Sequence, residues 1–396
     1  MTRFHRVPAL RLVALTLAVL TLSRASTADS PLNAILSRYS LTELDLGELA
    51  WASALTDGEK IAGEIWYAGA GMRAFLYGDG ELRDLGTLGG WSSWAYGVND
   101  LGHVVGNSET SDGVGTPAFL YKDDAMHDLG SLVGMQLFAF DIGEDGQVTG
   151  AVSTPDRFVH AFVYDGTSVS DLGTLGGDWS EGRAINNRGM VTGSSGILES
   201  QLGHAFIYRD GVMEDIGTLG CCNSLGLDIN EKGDVTGQSA GIDSKGDYFG
   251  DHAFLYSNGK MRDLGTLGGY FSIGSGINDR RVVTGMSITA SGDYRAFLYA
   301  DGSMRDLNDL IDAKDPLRTH VTLIEGIDIN NHGVIVANGR DTRTGREMIY
   351  LLRPPRHGGG GAVNWQLICF LAMLGVYSRR RRRDALEHHV LEPVHD

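Results

Sequence analysis

The chain is poor in cysteine and proline. Its 396 residues include only three cysteines and eight prolines, against 56 glycines. Three cysteines exclude the disulfide framework of a small secreted domain, and the abundant glycine indicates many tight turns between short elements. Cys369 falls in an apolar stretch near the C-terminus, which leaves Cys221 and Cys222 as neighbours in the body. We expect idle thiols there, because a disulfide between adjacent residues is strained. The strained disulfide is the alternative.

Enzyme signatures and positive charge are also scarce. The chain contains no HExxH, P-loop, GxGxxG or CxxC spacing, so none of these motifs points to catalysis. The formal net charge is −17, and because both ends are basic, the body between residues 29 and 356 carries about −22. Such a surface repels phosphate backbones, which excludes nucleic acid as a partner and favours cations or cationic partners.

Residues 1–28 are typical of a secretory signal peptide. A basic start precedes an 11-residue apolar run, Leu12 to Leu22, which is too short to span a bilayer. Small residues follow this run, and we expect signal peptidase to cleave after Ala25 or Ala28. A permanent N-terminal anchor is the alternative. The sequence therefore predicts an exported protein.

The C-terminal end contains three consecutive segments. These are a glycine-rich linker at 357–361, an apolar membrane segment at 362–377 and a basic cytoplasmic tail at 378–396 that includes Arg379 to Arg383. The apolar segment meets only the lower length limit for a membrane span, which predicts a transient stop in the inner membrane. The glycines of the linker are Gly358, Gly359, Gly360 and Gly361.

This arrangement resembles the GlyGly-CTERM class of bacterial sorting signals. The resemblance implies that a rhomboid-type protease cuts near the four glycines and releases the body, or transfers it to the cell surface. The chain differs from the class by continuing for twelve residues after Asp384. A retained single-pass anchor, with the body facing the periplasm, is the alternative.

Residues 29–356 are built from repeats. The heptapeptide DLGTLGG occurs three times, and four altered copies complete the set. The copies begin at Asp45, Asp84, Asp128, Asp171, Asp215, Asp263 and Asp306. Their spacing of 39 to 48 residues is that of a propeller blade.

Each repeat contains four short apolar segments in a constant order. An apolar stretch ending in Asn is followed by a β-branched run ending in Gly, by AFLY or a close copy, and by a final segment leading to DLG. Asp-Gly or Asn-Gly before the last segment is a strong hairpin signal. The seventh repeat lacks a fourth segment, whereas Leu41–Gly47 is a fourth segment without a repeat before it. We therefore predict an all-β fold, a seven-bladed β-propeller of four-stranded repeats closed by an N-terminal strand.

The third segment carries a family resemblance. HAFVY begins at His160, HAFIY at His204 and HAFLY at His252. With DLGTLGG and GIND, these copies resemble the extracellular HAF repeat family over residues 41 to 352. The resemblance implies an exported or surface bacterial protein without an established activity. Three copies depart from it, with Arg73, Pro117 and Arg295 at the His position.

Two sets of repeated residues have the chemistry of metal ligands, but we expect structural roles for both. The three histidines belong to different blades and cannot converge on one ion. The seven repeat-starting aspartates are expected to accept backbone N–H groups in their turns. An acidic ring that attracts Ca²⁺ is the alternative. Arg281, which replaces a turn glycine, predicts a left-handed residue whose change to Gly is neutral or stabilising.

Two groups of residues are candidates for ligand binding. The first is the longest loop between second and third strands, Gln238 to Asp251, where acidic and aromatic residues alternate: Asp243, Asp247, Tyr248, Phe249 and Asp251. The second, expected on the opposite face, consists of tryptophans that follow DLGTLGG: Trp91, Trp94 and Trp179. Aromatic faces beside acidic groups suit sugar rings or partner side chains, and the carboxylates suit Ca²⁺. A solvated loop and packing between blades are the structural alternatives.

The sequence thus favours a non-catalytic propeller that binds a carbohydrate or a surface protein through one face. No cofactor is expected apart from Ca²⁺ at the acidic loop. A propeller hydrolase or lyase that degrades polysaccharide is the second hypothesis, because carboxylates from several blades would meet only in three dimensions. A passive envelope component is the third.

Overall fold

A computed structural model describes residues 38–47, 49–130, 134–198, 202–242 and 245–355. The predicted signal peptide and sorting segments lie outside these residues, as does Asp243. The described part contains 28 strands and one short 3-10 helix, η1 (Leu307–Leu310). The prediction of an all-β chain is confirmed.

The strands follow one another through short connections. They are β1 (Ser40–Leu44), β2 (Leu49–Leu55), β3 (Ile61–Tyr67), β4 (Gly71–Gly78), β5 (Glu81–Asp84), β6 (Gly89–Val98), β7 (Val104–Thr110), β8 (Ala118–Lys122), β9 (Ala125–Asp128), β10 (Leu137–Ile142), β11 (Val148–Ser153), β12 (Val159–Tyr164), β13 (Val169–Asp171), β14 (Gly176–Ile185), β15 (Val191–Ile197), β16 (Gly203–Arg209), β17 (Val212–Asp215), β18 (Gly220–Ile229), β19 (Val235–Ile242), β20 (Tyr248–Ser257), β21 (Lys260–Asp263), β22 (Gly268–Ile277), β23 (Val283–Thr289), β24 (Tyr294–Ala300), β25 (Ser303–Asp306), β26 (Val321–Ile329), β27 (Ile335–Asp341) and β28 (Glu347–Arg353).

Strand pairing gives three four-stranded and two eight-stranded sheets. Each eight-stranded sheet consists of two antiparallel four-stranded meanders joined by one parallel bridge, Val159 to Trp179 or Asp251 to Phe271. We number the meanders as units 1 (β2–β5), 2 (β6–β9), 3 (β10–β13), 4 (β14–β17), 5 (β18–β21), 6 (β22–β25) and 7 (β26–β28 with β1). Strand pairing does not close any sheet on itself, so the seven-bladed ring stays a prediction at this level.

Local turn chemistry explains where the outer strands fold back. The two residues between third and fourth strands both have positive φ, at Asp79-Gly80, Asp210-Gly211, Asn258-Gly259 and Asp301-Gly302. Asp, Asn and above all Gly tolerate this conformation, and the resulting turn matches the twist of paired strands. The hairpins predicted at these four positions are confirmed.

The glycine of the second strand has a different role from the predicted one. It does not end the strand but lies within it, opposite a bulge in the first strand, as at Gly106 in β7. A Cβ on Gly106 would collide with the carbonyl oxygen of Trp94, and the same collision recurs in units 1 to 6. The bulge therefore requires glycine at this position. Unit 7 has Ala337 instead, which pairs with Gly326 of its first strand.

The hydrophobic core is divided among the junctions between units. Each third strand contributes one large aromatic side chain that is fully buried: Phe75, Phe119, Phe162, Phe206, Phe254, Phe297 and Tyr350. Burying such a side chain contributes about 1.5–3 kcal/mol. Seven clusters of buried side chains each join two neighbouring units, and one of them joins unit 7 to unit 1. The contacts therefore run through all units and return to the first.

Buried asparagines tie the units together. In units 2, 4, 5, 6 and 7 the asparagine after the first strand accepts, through Oδ1, the N–H four residues later and so closes its own turn. Its Nδ2 donates to a main-chain carbonyl of the next unit at 2.8–3.1 Å. These bonds join Asn99 to Gly143, Asn186 to Asn230, Asn230 to Asn278, Asn278 to Asn330 and Asn330 to Thr56.

Units 1 and 3 lack this asparagine and use other groups. The N–H of Gly58 donates to Asp100 at 2.8 Å, and the N–H of Glu144 donates to Asn187 at 2.8 Å. The side-chain hydrogen bonds thereby form a complete circuit through the seven units. We call this circuit the turn belt.

The two ends of the units differ in regularity. On the turn side, first and second strands are always joined by five residues: 56–60, 99–103, 143–147, 186–190, 230–234, 278–282 and 330–334. On the loop side, second and third strands are joined by three to seven residues: 68–70, 111–117, 154–158, 198–202, 243–247, 290–293 and 342–346. The loop side also holds the start of each first strand, because first and second strands are antiparallel. The second-to-third connections therefore vary in length, whereas the first-to-second connections do not.

Removing β1 tests how the last unit is completed. All five residues of β1 pair with β28, and Leu41 and Leu44 are buried in two different clusters. Deleting residues 29–47 from the full chain exposes the edge of β28, and we expect aggregation or loss of cooperative melting. Leu44→Ala should cost about 2–5 kcal/mol, whereas Leu49→Ala at an exposed site should cost about 0.5 kcal/mol or less. Unchanged thermal melting of the deletion variant would show that β1 does not complete the unit.

The left-handed conformation predicted for Arg281 is confirmed, with φ of 63°. Its side chain, however, donates from Nε to the buried carboxylate of Asp234 at 2.8 Å. Burial acts to raise the pKa of Asp234, but hydrogen bonds, above all from Arg281, outweigh it and hold this pKa below its usual value. The sequence did not show this partner.

We now expect Arg281→Gly to destabilise the fold by about 1 kcal/mol. The change relieves about 1 kcal/mol of backbone strain but removes a charged hydrogen bond of about 1.5–3 kcal/mol. The double variant Arg281→Gly/Asp234→Met, which copies Met190 of unit 4, should recover the loss. Chemical denaturation of both variants measures this. A stable single variant would show that the ion pair contributes nothing.

Candidate functional site

A central cavity opens on the turn side. Its volume is about 180 Å³, and its lining includes residues from all seven units, mostly the ends of first strands and the residues of the turn belt. The penultimate residue of the first strand is small in units 1, 2, 4 and 6. In units 3, 5 and 7 it is Asp141, Asp228 or Asp328.

These three aspartates connect neighbouring units by hydrogen bonds. One oxygen of each carboxylate accepts the N–H of the following residue. The other oxygen accepts an N–H from the next unit: Ile185 for Asp141, Ile277 for Asp228 and Leu55 for Asp328. Because both oxygens of each carboxylate are used in this way, the three aspartates are structural and are not arranged as a hydrolytic acid and base.

Burial is the largest influence on the pKa values of these three carboxyl groups. It raises the pKa of Asp141 to about 7 and that of Asp228 to about 6, although the N–H donors act in the opposite direction. The pKa of Asp328 is also raised, by burial and by the charges of Asp228 and Asp141. The three carboxylates therefore lie close enough to repel one another when ionised.

A pH series tests this arrangement through Asp141. Between about pH 4 and 7 the folded state holds a proton that the unfolded state has lost, so stability falls as pH rises through this window and levels off above it. Asp141→Asn removes the titration. We expect the difference in melting temperature between wild type and this variant to shift in the variant's favour from pH 5 to pH 8. Asp301→Asn, in an exposed hairpin, is the matched control for loss of one charge. A difference that does not change with pH would contradict the assignment.

The repeat-starting aspartates have the predicted turn role. Asp84 accepts the N–H of Gly86 at 2.8 Å, and equivalent bonds are made by Asp45, Asp171, Asp215, Asp263 and Asp306. The histidines pair with these same aspartates within their own units: His160 with Asp171, His204 with Asp215 and His252 with Asp263. The expectation that the histidines serve in hydrogen bonding is confirmed.

Exposed apolar side chains are concentrated on the loop side. Of the sixteen large hydrophobic residues that are exposed in the described part, twelve lie there. They are Leu49, Trp66, Trp91, Val114, Met135, Phe158, Val159, Leu198, Leu202, Tyr248, Tyr270 and Tyr294. Clustered apolar exposure on one face is typical of a binding surface.

A pocket of about 350 Å³ lies on this side between units 4 and 5. We call it the Trp179 pocket. The ring of Trp179 lies against Gly196 and Gly203, and a Cβ at Gly203 would collide with it. The other lining groups are mostly polar: Glu181, Ser194, Asn223, Ser224, Gln238, Ser239 and Asp251, with Leu225 and Ala240. An indole face is thereby combined with carboxylate, amide and hydroxyl groups.

The lining of the Trp179 pocket shows that one prediction was wrong. The tryptophan group and the acidic segment of unit 5 were expected on opposite faces, but Trp179 and Asp251 line the same pocket. The reason is the path of the chain, which crosses to the next unit and re-enters its first strand on the loop side. An isolated bridge from Leu175 to Ile197 holds this re-entry beside the end of the second strand.

The segment Gln238–Asp251 is also less loop-like than predicted. Strands β19 and β20 pair as far as Ile242 and Tyr248, so most of the segment is an extended hairpin. The hydroxyl of Tyr248 donates to Asp251 at 2.9 Å, and the ring of Phe249 packs against Gly241 and His252. Asp247 is exposed on the connection between the strands, near Asp243 in sequence.

Trp91 and Trp94 lie in unit 2, away from this pocket. Trp91 is exposed on the loop side, with its ring against Gly71. Trp94 is half-buried within β6. The structure therefore brings together Trp179, Asp251 and Tyr248, and it leaves Trp91 and Trp94 as a separate group.

Cys221 and Cys222 are free thiols at the start of β18. The hydrogen bond that the protonated Cys221 thiol makes with Cys222, together with burial, raises the pKa of Cys221 to about 11. Cys222 is exposed and has a φ of 63°. A protonated thiol is a poor nucleophile, which is consistent with the idle role expected from the sequence.

One enzyme-like pattern went unnoticed in the sequence. Gly237–Gly241 reads GQSAG and matches GxSxG, which in hydrolases marks a nucleophilic serine on a sharp strand-to-helix turn. Ser239 is instead buried within β19, where its hydroxyl accepts the N–H of Leu219 and donates to backbone carbonyls. The match is therefore structural.

Two further groups escaped the sequence interpretation because their repeat position is variable. Gln238 lines the Trp179 pocket at a position where unit 1 has Glu64 and unit 4 has Ser194. Burial raises the pKa of Glu64 to about 7, against a weaker opposing hydrogen bond from Ser53. The other units have Asn107, Ala151, Met286 and Asn338 at this position, so comparison of the repeats shows that it varies but does not single out Gln238 or Glu64.

No three histidine, cysteine or acidic side chains of the described ranges are grouped so as to hold a metal ion, and Ca²⁺ stays a prediction because Asp243 lies outside them. No helix in the part of the chain that the structure describes is long and apolar enough to cross a bilayer.

Comparisons with known proteins find distant structural neighbours but no similar sequence. No family profile matches the chain, and no curated protein is similar in sequence. Of 38 similar chains among solved structures, one is the β-propeller domain of the Trilobed protease from Pyrococcus furiosus, at 10% identity and a TM-score of 0.49 over 79% of this chain and all of that one. A puromycin-hydrolysing peptidase from Mycobacterium tuberculosis gives 12% and 0.42, over 79% and 54% of the two chains. A sialidase from Trypanosoma rangeli gives 8% and 0.37, over 88% and 58%.

Proposed function

We propose that this chain is an exported seven-bladed β-propeller that binds carbohydrate, without cleaving it, at the Trp179 pocket. The observation that carries the proposal is the pocket's composition, a fixed indole face surrounded by amide, hydroxyl and carboxylate groups. Sugar rings present an apolar face and a rim of hydroxyls, which match these two kinds of group.

Three features support the closed ring. The turn belt returns from Asn330 to Thr56, one hydrophobic cluster joins unit 7 to unit 1, and the central cavity is lined by all seven units. A ring of this kind holds the loop side rigidly, which reduces the entropy that binding must overcome.

Two features of the pocket favour a role in ligand binding over a role in packing between units. The indole N–H of Trp179 and the amide of Gln238 make no hydrogen bond among the described residues, although both line the cavity. A volume of about 350 Å³ falls at the small end of ligand sites, the size of one or two sugar rings.

Export and surface display are part of the same proposal. The signal peptide and the resemblance to GlyGly-CTERM signals support passage across the inner membrane, followed by release or transfer of the body to the cell surface. The HAF-like repeats support an extracellular location. Signal peptidase and a rhomboid-type protease would be the processing partners.

Binding of a glycan array by the full chain, followed by calorimetric titration of the best ligand, tests the proposal. Trp179→Ala should weaken binding about 30-fold, the effect of losing an aromatic anchor worth about 2 kcal/mol. Gln238→Ala should also weaken binding, without lowering the melting temperature, because its amide has no partner in the described part of the fold. Tyr294→Ala, an exposed aromatic on the loop side of unit 6, is the matched control.

Undiminished binding by Trp179→Ala would place the site elsewhere. Cleavage of a glycan by the wild type but not by Glu64→Gln would instead favour the hydrolase hypothesis. Glu64 is a half-buried carboxyl with a pKa of about 7, which is the property of a general acid.

A further inference from the structure

The charges around the Trp179 pocket point to a narrower ligand class. Of its lining residues, Glu181 and Asp251 are acidic and none is a lysine, arginine or histidine. The pocket thus combines two carboxylates with no lining cation, within a body of strongly negative charge.

Each carboxylate has one oxygen engaged and one available. Oε1 of Glu181 accepts two bonds from Arg183, at 2.7 and 3.0 Å. Oδ1 of Asp251 accepts the hydroxyl of Tyr248. Within the described residues Oε2 of Glu181 and Oδ2 of Asp251 accept no hydrogen bond, so each has capacity for a donor from a ligand.

Arg183 is held on the side away from unit 5. Its guanidinium lies 4.6 Å from the ring centroid of Phe140 in unit 3, in a cation–π contact, while it also bonds Glu181. Its charge offsets part of the Glu181 charge but does not line the pocket. The remaining charge of the pocket is therefore negative, dominated by Asp251.

We propose that the Trp179 pocket selects amine-bearing sugars over neutral and acidic ones. A protonated amino group on a hexosamine would donate to the free oxygens of Asp251 and Glu181 while its ring stacks on Trp179. A uronate or sulfated sugar would bring a like charge to the same oxygens and be repelled. This inference rests on the proposed carbohydrate function and specifies its substrate class.

The test compares three oligosaccharide tetramers of matched length with the full chain. The probes are a β-1,4-linked glucosamine tetramer, its fully N-acetylated form and a galacturonate tetramer. Because only the glucosamine tetramer can donate a charged hydrogen bond, we expect it to bind about tenfold or more tightly than the acetylated tetramer. The galacturonate tetramer should bind most weakly. The preference should shrink as salt rises from low to physiological concentration, because the screening length shortens.

Isosteric variants separate charge from shape. Asp251→Asn and Glu181→Gln should reduce the preference for the amine form to about threefold or less and leave binding of the acetylated form nearly unchanged. Asp156→Asn removes an exposed charge from the loop side of unit 3 and should change nothing.

The two proposals fail in different ways. Binding that is lost in Trp179→Ala but is equal for all three tetramers would overturn the charge selection and leave carbohydrate binding intact. Absence of binding to any sugar, or binding unaffected by Trp179→Ala, would overturn both.

Discussion

The hydrogen bond from a buried asparagine to the next unit's carbonyl is the interaction on which this architecture depends. A four-stranded meander has two faces to bury, and it can bury them only against neighbouring units. The turn belt fixes the distance between successive first strands, so that the large aromatic of each third strand can fill the space between units. Asn330 donates to Thr56, so the junction between units 7 and 1 has the same asparagine bond as four other junctions.

Four junctions between units are also joined on the loop side, by a serine nine residues after the repeat start. Its hydroxyl accepts the N–H of the alanine in the preceding unit's AFLY segment and donates to a carbonyl of the DLG turn, as Ser93 does for Ala74 and Gly86. The same bonds recur at Ser180, Ser224 and Ser272. At these four junctions the units are therefore held at both ends, which leaves little freedom for one to tilt against the next.

Features that depend on residues close in sequence could be predicted, and features that depend on contacts between units could not. The Asp-Gly hairpins, the aspartate turns and the left-handed Arg281 follow from backbone chemistry within a few residues. A repeat pattern shows which residues are equivalent but not which of them touch. Three such contacts join residues more than forty positions apart: the hydrogen bonds between Asn186 and Asn230 and between Asp141 and Ile185, and the ion pair of Arg281 with Asp234. For the same reason the sequence placed Trp179 and Asp251 on opposite faces, although the crossing segment between units brings them to one pocket.

The position of the pocket follows from the irregularity of unit 5. Where units 2, 4 and 6 have a second glycine at the start of the first strand, unit 5 has Cys221. In those units a Cβ would collide with the adjacent second strand, so the backbone of unit 5 must take a different path, and Cys222 with its positive φ marks this change. The next residue, Asn223, stands where unit 4 has the much larger Trp179, and it reaches across to bond the N–H of Gly203 in that unit. A small polar side chain therefore faces the indole across the junction, and the space that a second large aromatic would fill remains open. Departure from the repeat at this junction is thus the physical origin of the cavity, and this is why the proposed site lies between units 4 and 5.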